Sequence, residues 1–324
     1  MKGLPTLGMG CSGLGNLYTV VDEGCARETV ASALSAGIDY FDVAPFYGFG
    51  LAERRLGDAL AEAGSGRPVI VSTKVGRRLV PTDNPARQRH GFVEADPHEP
   101  VFDYSGDAIL ESHEQSLRRM RRDRIDILLA HDLGRQTHGE AADGHLHIFL
   151  DSGYPALRRL RSEGAVSAIG IGVNEIAICE TLLDQAPLDI ILLAGRHTLL
   201  EQDRATALLD RCLAKGVTVI IGGPYNSGIL AQGSAAADPR FDYEAPSASV
   251  LDRVRTLEHV ASRHRVPLAA AALQFPLRHP AVSTVLPGLI GPDQVQETAR
   301  WFAEDIAADF WDDAAVAAAP IAPV

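Results

Sequence analysis

Short apolar runs recur along this chain, and each gives way to a stretch with helical spacing. The runs lie at residues 4–11, around Tyr40, Phe41 and Val43, and at 68–74, 125–131, 168–173, 189–194, 217–221 and 282–286. Helical spacing fills 23–36, 53–60, 107–119, 154–163, 176–183, 205–215, 247–264, 267–277 and 293–302. Gly37, Gly164 and Gly216 stand where helices stop, and Ser247 stands where one starts. Near-continuous apolar runs suit strands buried on both faces, which pair in parallel through helical crossovers. Eight such alternations predict an α/β fold, a (β/α)8 or TIM barrel, as one domain over residues 1–324. No linker or tandem repeat interrupts the pattern.

A barrel carries its chemistry where its strands end. Residues 38–56, IDYFDVAPFYGFGLAERRL, read as strand, loop and helix start. Asp42 stands at the strand exit, and Tyr47 follows among the loop-formers Pro45, Gly48 and Gly50. Later runs exit at Lys74 in VIVSTK, His131 in IDILLAH and Asn174 in AIGIGVN. A free phenol titrates near pH ~10, too high for proton transfer near neutrality. A lysine ammonium beside it favours the phenolate, and a carboxylate can hold that lysine. A histidine can hydrogen-bond the substrate oxygen and relay its proton. Singly, each residue has an ordinary reading: a loop cap, a packing ring, a surface charge, a core histidine. Four of them at consecutive strand exits do not.

Asp42 and Tyr47 in FDVAPFYG, Lys74 in VSTK and His131 in LLAHD resemble the catalytic tetrad of the aldo-keto reductase family. The resemblance runs on through GAVSAIGIGVNE, LLAGRHTLLEQ, GGPYNSGIL and VLPGLIGPDQVQE. These later segments look most like the aldose 1-dehydrogenase branch, with the pyridoxal 4-dehydrogenases close by. The resemblance implies hydride transfer between a nicotinamide cofactor and a carbonyl or carbinol carbon. It places Asn174 on the nicotinamide carboxamide, with Val173 where the family has serine, and His197 as the ring stacked on the nicotinamide. Asn174 has a second reading, as the N-cap of the helix that follows. Gly222, Gly223, Asn226, Ser227 and Gly228 would form the pyrophosphate loop. Pro287 and Gly288 would open the adenosine loop, with Gln294 and Glu297 facing the adenine and Thr298 where the family often has asparagine. Relatives that bind the 2′-phosphate of NADP carry a basic residue and a hydroxyl just after this Pro-Gly. Here Leu289, Ile290 and Gly291 follow, so NAD is expected to be preferred over NADP unless Arg300 reaches in.

The expected substrate is a small aldose such as L-fucose, oxidised at its C1 hemiacetal to the lactone. Pyridoxal is the rival, as is an NADPH-dependent aldehyde or ketone reductase. Pyridoxal wants a flat wall, which Phe46, Phe49 or Phe92 could supply, while an aldose wants donors and acceptors. The segments 76–105 and 132–151, rich in Arg, Asp, Asn and His, are expected as long loops rimming the mouth. His138, His145 and His147 lack metal-site spacing and read as solvated, one of them near substrate. A sensor role as a potassium-channel β-subunit is less favoured, because little chain precedes the first run. A net charge of −12 without a basic stripe argues against nucleic acid. Four scattered cysteines without a CxxC pair, no signal peptide and no membrane-length apolar run suit a cytoplasmic monomer or small homo-oligomer. The tail from 314 to 324 is expected on the surface.

Overall fold

The computed structural model describes residues 3–64 and 68–317. Eight parallel strands form one sheet: β1 (Met9–Gly10), β2 (Tyr40–Asp42), β3 (Ile70–Val75), β4 (Ile127–His131), β5 (Ala168–Val173), β6 (Ile190–Ala194), β7 (Thr218–Gly222) and β8 (Val282–Leu286). Their spatial order follows the chain. Parallel bridges from Leu7 to Val285 and from Gly10 to Gly288 bring the first strand back to the last, so the sheet closes into the expected barrel. β1 is much shorter than the run at 4–11, and residues 6–8 pair with the last strand only through the single bridge at Val285. The other elements lie within a few residues of the sequence reading. Ser247 does cap its helix, accepting from the Val250 amide.

Alternation along the strands sorts the core into two layers. Tyr40, Ile127, Leu129, Ile190, Leu192 and Ile220 fill the barrel interior. Their neighbours Phe41, Val71, Leu128, Ile169, Ile191 and Ile221 face the helices outside. Helices α1 (Glu23–Ser35), α2 (Leu51–Ala63), α3 (Gly106–Met120), α4 (Tyr154–Ser162), α5 (Ile176–Gln185) and α6 (Thr206–Lys215) each follow a strand. α7 (Ala248–His264) and α8 (Leu268–Gln274) lie between β7 and β8, and α9 (Pro292–Phe302) follows β8. The same two-residue period that points Tyr40 inward also points Asp42 inward. It does likewise for Ser72 and Lys74, and for Leu129 and His131.

Two expected loops turn out to be built. In 76–105, Arg77–Pro81 pairs antiparallel with His98–Phe102, and Gln88–Arg89 with Phe92–Val93. This arm is held by stacked cations, Arg77 over Phe46 and Phe102 and Arg89 over Phe49, so it carries no clean apolar period. The segment 132–151 is mostly helical, at Arg135–His138 and Ala142–Ile148. His138 and His145 are not simply solvated: their rings pack together at 4.2 Å and rest on Phe102 and Tyr104. The tail differs as well. Ala314–Ala317 is a short helix, Val316 is buried, and its carbonyl accepts from Gln202. Residues 318–324 lie outside the described residues. Cys11, Cys179 and Cys212 are buried thiols, and Cys25 is half-buried. Among the described residues no helix is long and apolar enough to cross a membrane, and no cluster of His, Cys, Asp or Glu could hold a metal ion.

Candidate active site

The inward residues at the ends of β2, β3 and β4 meet. Lys74 Nζ donates to Asp42 Oδ1 at 2.6 Å, to the Val43 carbonyl at 3.0 Å and to Tyr47 Oη at 3.3 Å. Ser72 donates to the other oxygen of Asp42 at 2.6 Å, so both carboxylate oxygens are satisfied. Tyr47 is set by close contact between two loops. Gly48 has φ 64, and a Cβ on Gly15 would lie 2.5 Å from the Tyr47 carbonyl carbon. Only glycine at both places lets the first and second loops pack this tightly. The His131 ring stands at 85° to the Tyr47 ring, 6.1 Å between centroids.

Burial decides the electrostatics. It pushes the Tyr47 phenol up to about 12, with Lys74 pulling down and Asp42 pushing further up. Lys74 does favour the phenolate, as expected, but it opposes the desolvation cost without cancelling it, so the net direction is up. Lys74 is pulled down by burial, but Asp42 and Tyr47 more than offset this and hold it above its ordinary value. His131 is held neutral, well below the usual imidazole range, by burial first and then by Arg77 and Lys74. Its Nδ1 is buried without a partner.

Two cavities meet at Tyr47. One, of about 350 Å³, runs between the loops after β7 and β8, the usual phosphate-binding corner of this fold. Gly222, Gly223, Asn226, Ser227, Gly228 and Gly288 line it, and so does Gln294. Asn226 and Ser227 take left-handed backbone angles, and Asn226 Oδ1 is buried and unpartnered. A glycine-rich cradle with an unsatisfied polar atom fits a dinucleotide. Ser12 and Gly13 of the SGLGN turn also line this cavity, in keeping with a first strand-end loop. Asn174 lines both cavities, its amide 3.5 Å from Tyr243 Oη, and makes no helix cap, because Glu175 occupies that position in α5.

Three of the expected cofactor residues lie off the cavity linings. His197 is buried against Phe275 and His279 and lines neither cavity, because Arg196 beside it turns inward to bond the Asn174 carbonyl and Asp242. Glu297 lines an exposed groove with Arg300 and Ala36, though its charge is felt at Tyr225, which lines the cofactor cavity. Pro287 contributes its carbonyl to Gly10 rather than lining the cavity.

The second cavity, of about 510 Å³, lies over Tyr47, Lys74 and His131. Phe46 and Phe92 form one wall; Phe49 is fully buried behind them. Asp132, Gln136, Thr137 and Glu175 also line it. Tyr18 and Tyr243, which the sequence did not single out, border both cavities. Both have positive φ, at 65° and 68°, which no residue pattern announces.

A family model described as "Aldo/keto reductase family" matches residues 6–316. A pyridoxal 4-dehydrogenase from Microbacterium luteolum is 38% identical over 317 residues, covering 94% of this chain and 91% of the relative. A D-threo-aldose 1-dehydrogenase from Pseudomonas sp is 37% identical over 320 residues, covering 97% and 94%. A solved glycerol dehydrogenase from Gluconobacter oxydans superposes with a TM-score of 0.74 at 23% identity, covering 98% of this chain and 94% of that one, a likeness of fold. Closed barrel, matched profile and full-length relatives agree, and the chain belongs to the aldo/keto reductase family.

Proposed function

We propose that this oxidoreductase is an NAD-preferring dehydrogenase of cyclic hemiacetals, oxidising a small aldose at C1 to its lactone. The observation that carries the reading is the chain from Asp42 through Lys74 to Tyr47 Oη, with contacts of 2.6 and 3.3 Å, opening on a cavity with polar groups along one side. When bound, the nicotinamide would take the hydride. Tyr47 acts as the phenolate that Lys74 stabilises, and it receives the carbinol proton to become the neutral phenol. Asp42 holds Lys74, and neutral His131 donates to the substrate oxygen. Asn174 takes the carboxamide, residues 222–228 the pyrophosphate, and Gly288 with Gln294 the adenosine. We read residues 1–324 as one domain, acting in the cytoplasm as a monomer or small homo-oligomer.

The NAD preference rests on the loop after β8. Leu289 is buried, the Gly291 amide is spent on Thr29 Oγ1, and Arg300 is turned to the outer groove. No Lys or Arg lines the cofactor cavity among the described residues, and Arg240 near its mouth is held by Asp238 and stacked on Tyr18. A 2′-phosphate would forgo a charge-assisted contact, so NADH should bind about tenfold or more tighter than NADPH. Fluorescence titration of both cofactors checks this, and tighter NADPH binding would refute it.

Pyridoxal is the second reading, favoured by the Phe46 and Phe92 wall, whose rings meet at 90° and 5.3 Å. The aldose reading leads because Asp132, Gln136, Thr137 and Glu175 offer acceptors and donors that lose their partners with an analogue lacking hydroxyls. L-Fucose should therefore give the higher kcat/KM with NAD, and both should exceed simple aliphatic alcohols. A strong preference for pyridoxal would overturn the sugar reading and leave the tetrad standing.

A further inference from the structure

Arg77 bonds to none of Asp42, Tyr47, Lys74 or His131, yet it is one of the most enclosed charges at the site. It lies three residues beyond Lys74, where the arm begins. Its guanidinium sits between the rings of Phe46, at 3.9 Å, and Phe102, at 4.7 Å. It is ion-paired with Asp132, and the two side chains are only 11% and 17% exposed. Its Nε is buried without a hydrogen-bond partner. Asp132 is equally constrained. It has φ 47, its amide donates to the Gly172 carbonyl, and Tyr104 Oη donates to its carbonyl at 3.0 Å and to that of His131 at 2.6 Å. The Asp132 carboxylate stands 3.5 Å from His131 Nε2 and lines the substrate cavity.

A carboxylate this close to an imidazole, alone, would favour the imidazolium. Here the same carboxylate oxygen that faces His131 is the one held by Arg77. We propose that Arg77 is a positioning residue for the reacting centre: it holds Asp132 beside His131 as half of an ion pair, so that the imidazole meets no net charge and stays a neutral hydrogen-bond donor. The proposal rests on the role given above to His131. The groups facing that ring are Arg77 from the arm, Lys74 from β3, Tyr47 from the loop after β2, and Asp132 on its own strand exit. Asp42 stands behind Lys74, while His90, Glu175 and Tyr243 line the rest of the cavity. Burial, Arg77 and Lys74 all act on His131 in the direction the geometry requires.

The test follows the protonation of His131 directly. Nitrogen-15 spectra of histidine-labelled protein, with the His131 signal identified by its loss in His131→Asn, are recorded from pH 5 to pH 8. The wild-type ring should stay neutral throughout. Arg77→Met leaves a bare carboxylate beside it, so the ring should gain a proton within this range. The acid limb of kcat/KM should then move up by about one pH unit, a tenfold loss at its foot. Arg77→Met with Asp132→Asn removes both charges and should return the ring to neutral. Arg77→Lys should also keep it neutral. Should Arg77→Met not fold, Arg77→Gln keeps a planar donor without the charge and takes its place. A merely structural brace between Phe46 and Phe102 would lower activity in all these variants and move neither the spectrum nor the limb, and that result overturns the proposal. Absence of turnover with any cyclic hemiacetal would sink the proposed function while leaving the spectral result readable.

Discussion

Tyr47→Phe is expected to lose about 10²–10⁴-fold in turnover, the usual contribution of a positioned acid–base group, with cofactor binding nearly unchanged. The ring would keep its contacts with Phe92 and His131, at centroid distances of 6.3 and 6.1 Å, so only the hydroxyl and its 3.3 Å bond from Lys74 disappear. Because burial pushes this phenol up to about 12, it is a neutral acid across the working range. Reduction uses the protonated form and should not fall until high pH. Oxidation uses the deprotonated form and should rise with pH as the phenolate becomes populated. Steady-state rates in both directions across pH check the sign. Near-wild-type oxidation by the phenylalanine variant would remove Tyr47 from the mechanism.

Lys74→Met should cost both activity and stability, for separable reasons. Lys74 is 2% exposed and is the sole cation bonded to Asp42 among the described residues. Its removal strands a buried carboxylate on one hydrogen bond from Ser72. Breaking a buried pair from one side typically costs about 3–5 kcal/mol. For a chain of this length that lowers the melting temperature by several degrees or more. Adding Asp42→Asn to Lys74→Met removes the stranded charge and should restore much of that stability. It should not restore turnover, because the phenolate formed at Tyr47 still lacks its ammonium. Calorimetry and kinetics on the single and double variants test the two arms. Recovery of turnover in the double variant would show that the pair only holds the fold.

The sequence by itself determined the barrel and the meeting of Asp42, Lys74 and His131. Parallel strands buried on both faces must be apolar throughout, so ILLAH, AIGIGV and IILLA announce themselves without a structure. A period of two then obliges a polar residue at an even step beyond an inward apolar one to point into the barrel. Asp42 after Tyr40 and His131 after Leu129 obey that rule, which is why the grouping was legible before any coordinate.

Tertiary structure alone decided what lies around that centre. The arm at 77–102 is stabilised by guanidinium groups on aromatic faces, an attraction that leaves no spacing signal in the chain. His138 and His145 look solvated by composition but are partly packed, because a polar ring with two flat faces can rest on Phe102 and Tyr104. The lysine neighbour does pull the Tyr47 phenol down, as its place in the sequence implies, but burial outweighs it and the phenol rises. A neighbour can be inferred from residue order, whereas desolvation depends on everything that excludes water. His197 and Tyr243 make the same point in opposite directions. One lies next to a strand exit and turns away, and the other lies far along a loop and reaches the junction of both cavities. Strand residues inherit their direction from a local backbone rule; loop residues take theirs from the contacts available once the barrel has closed.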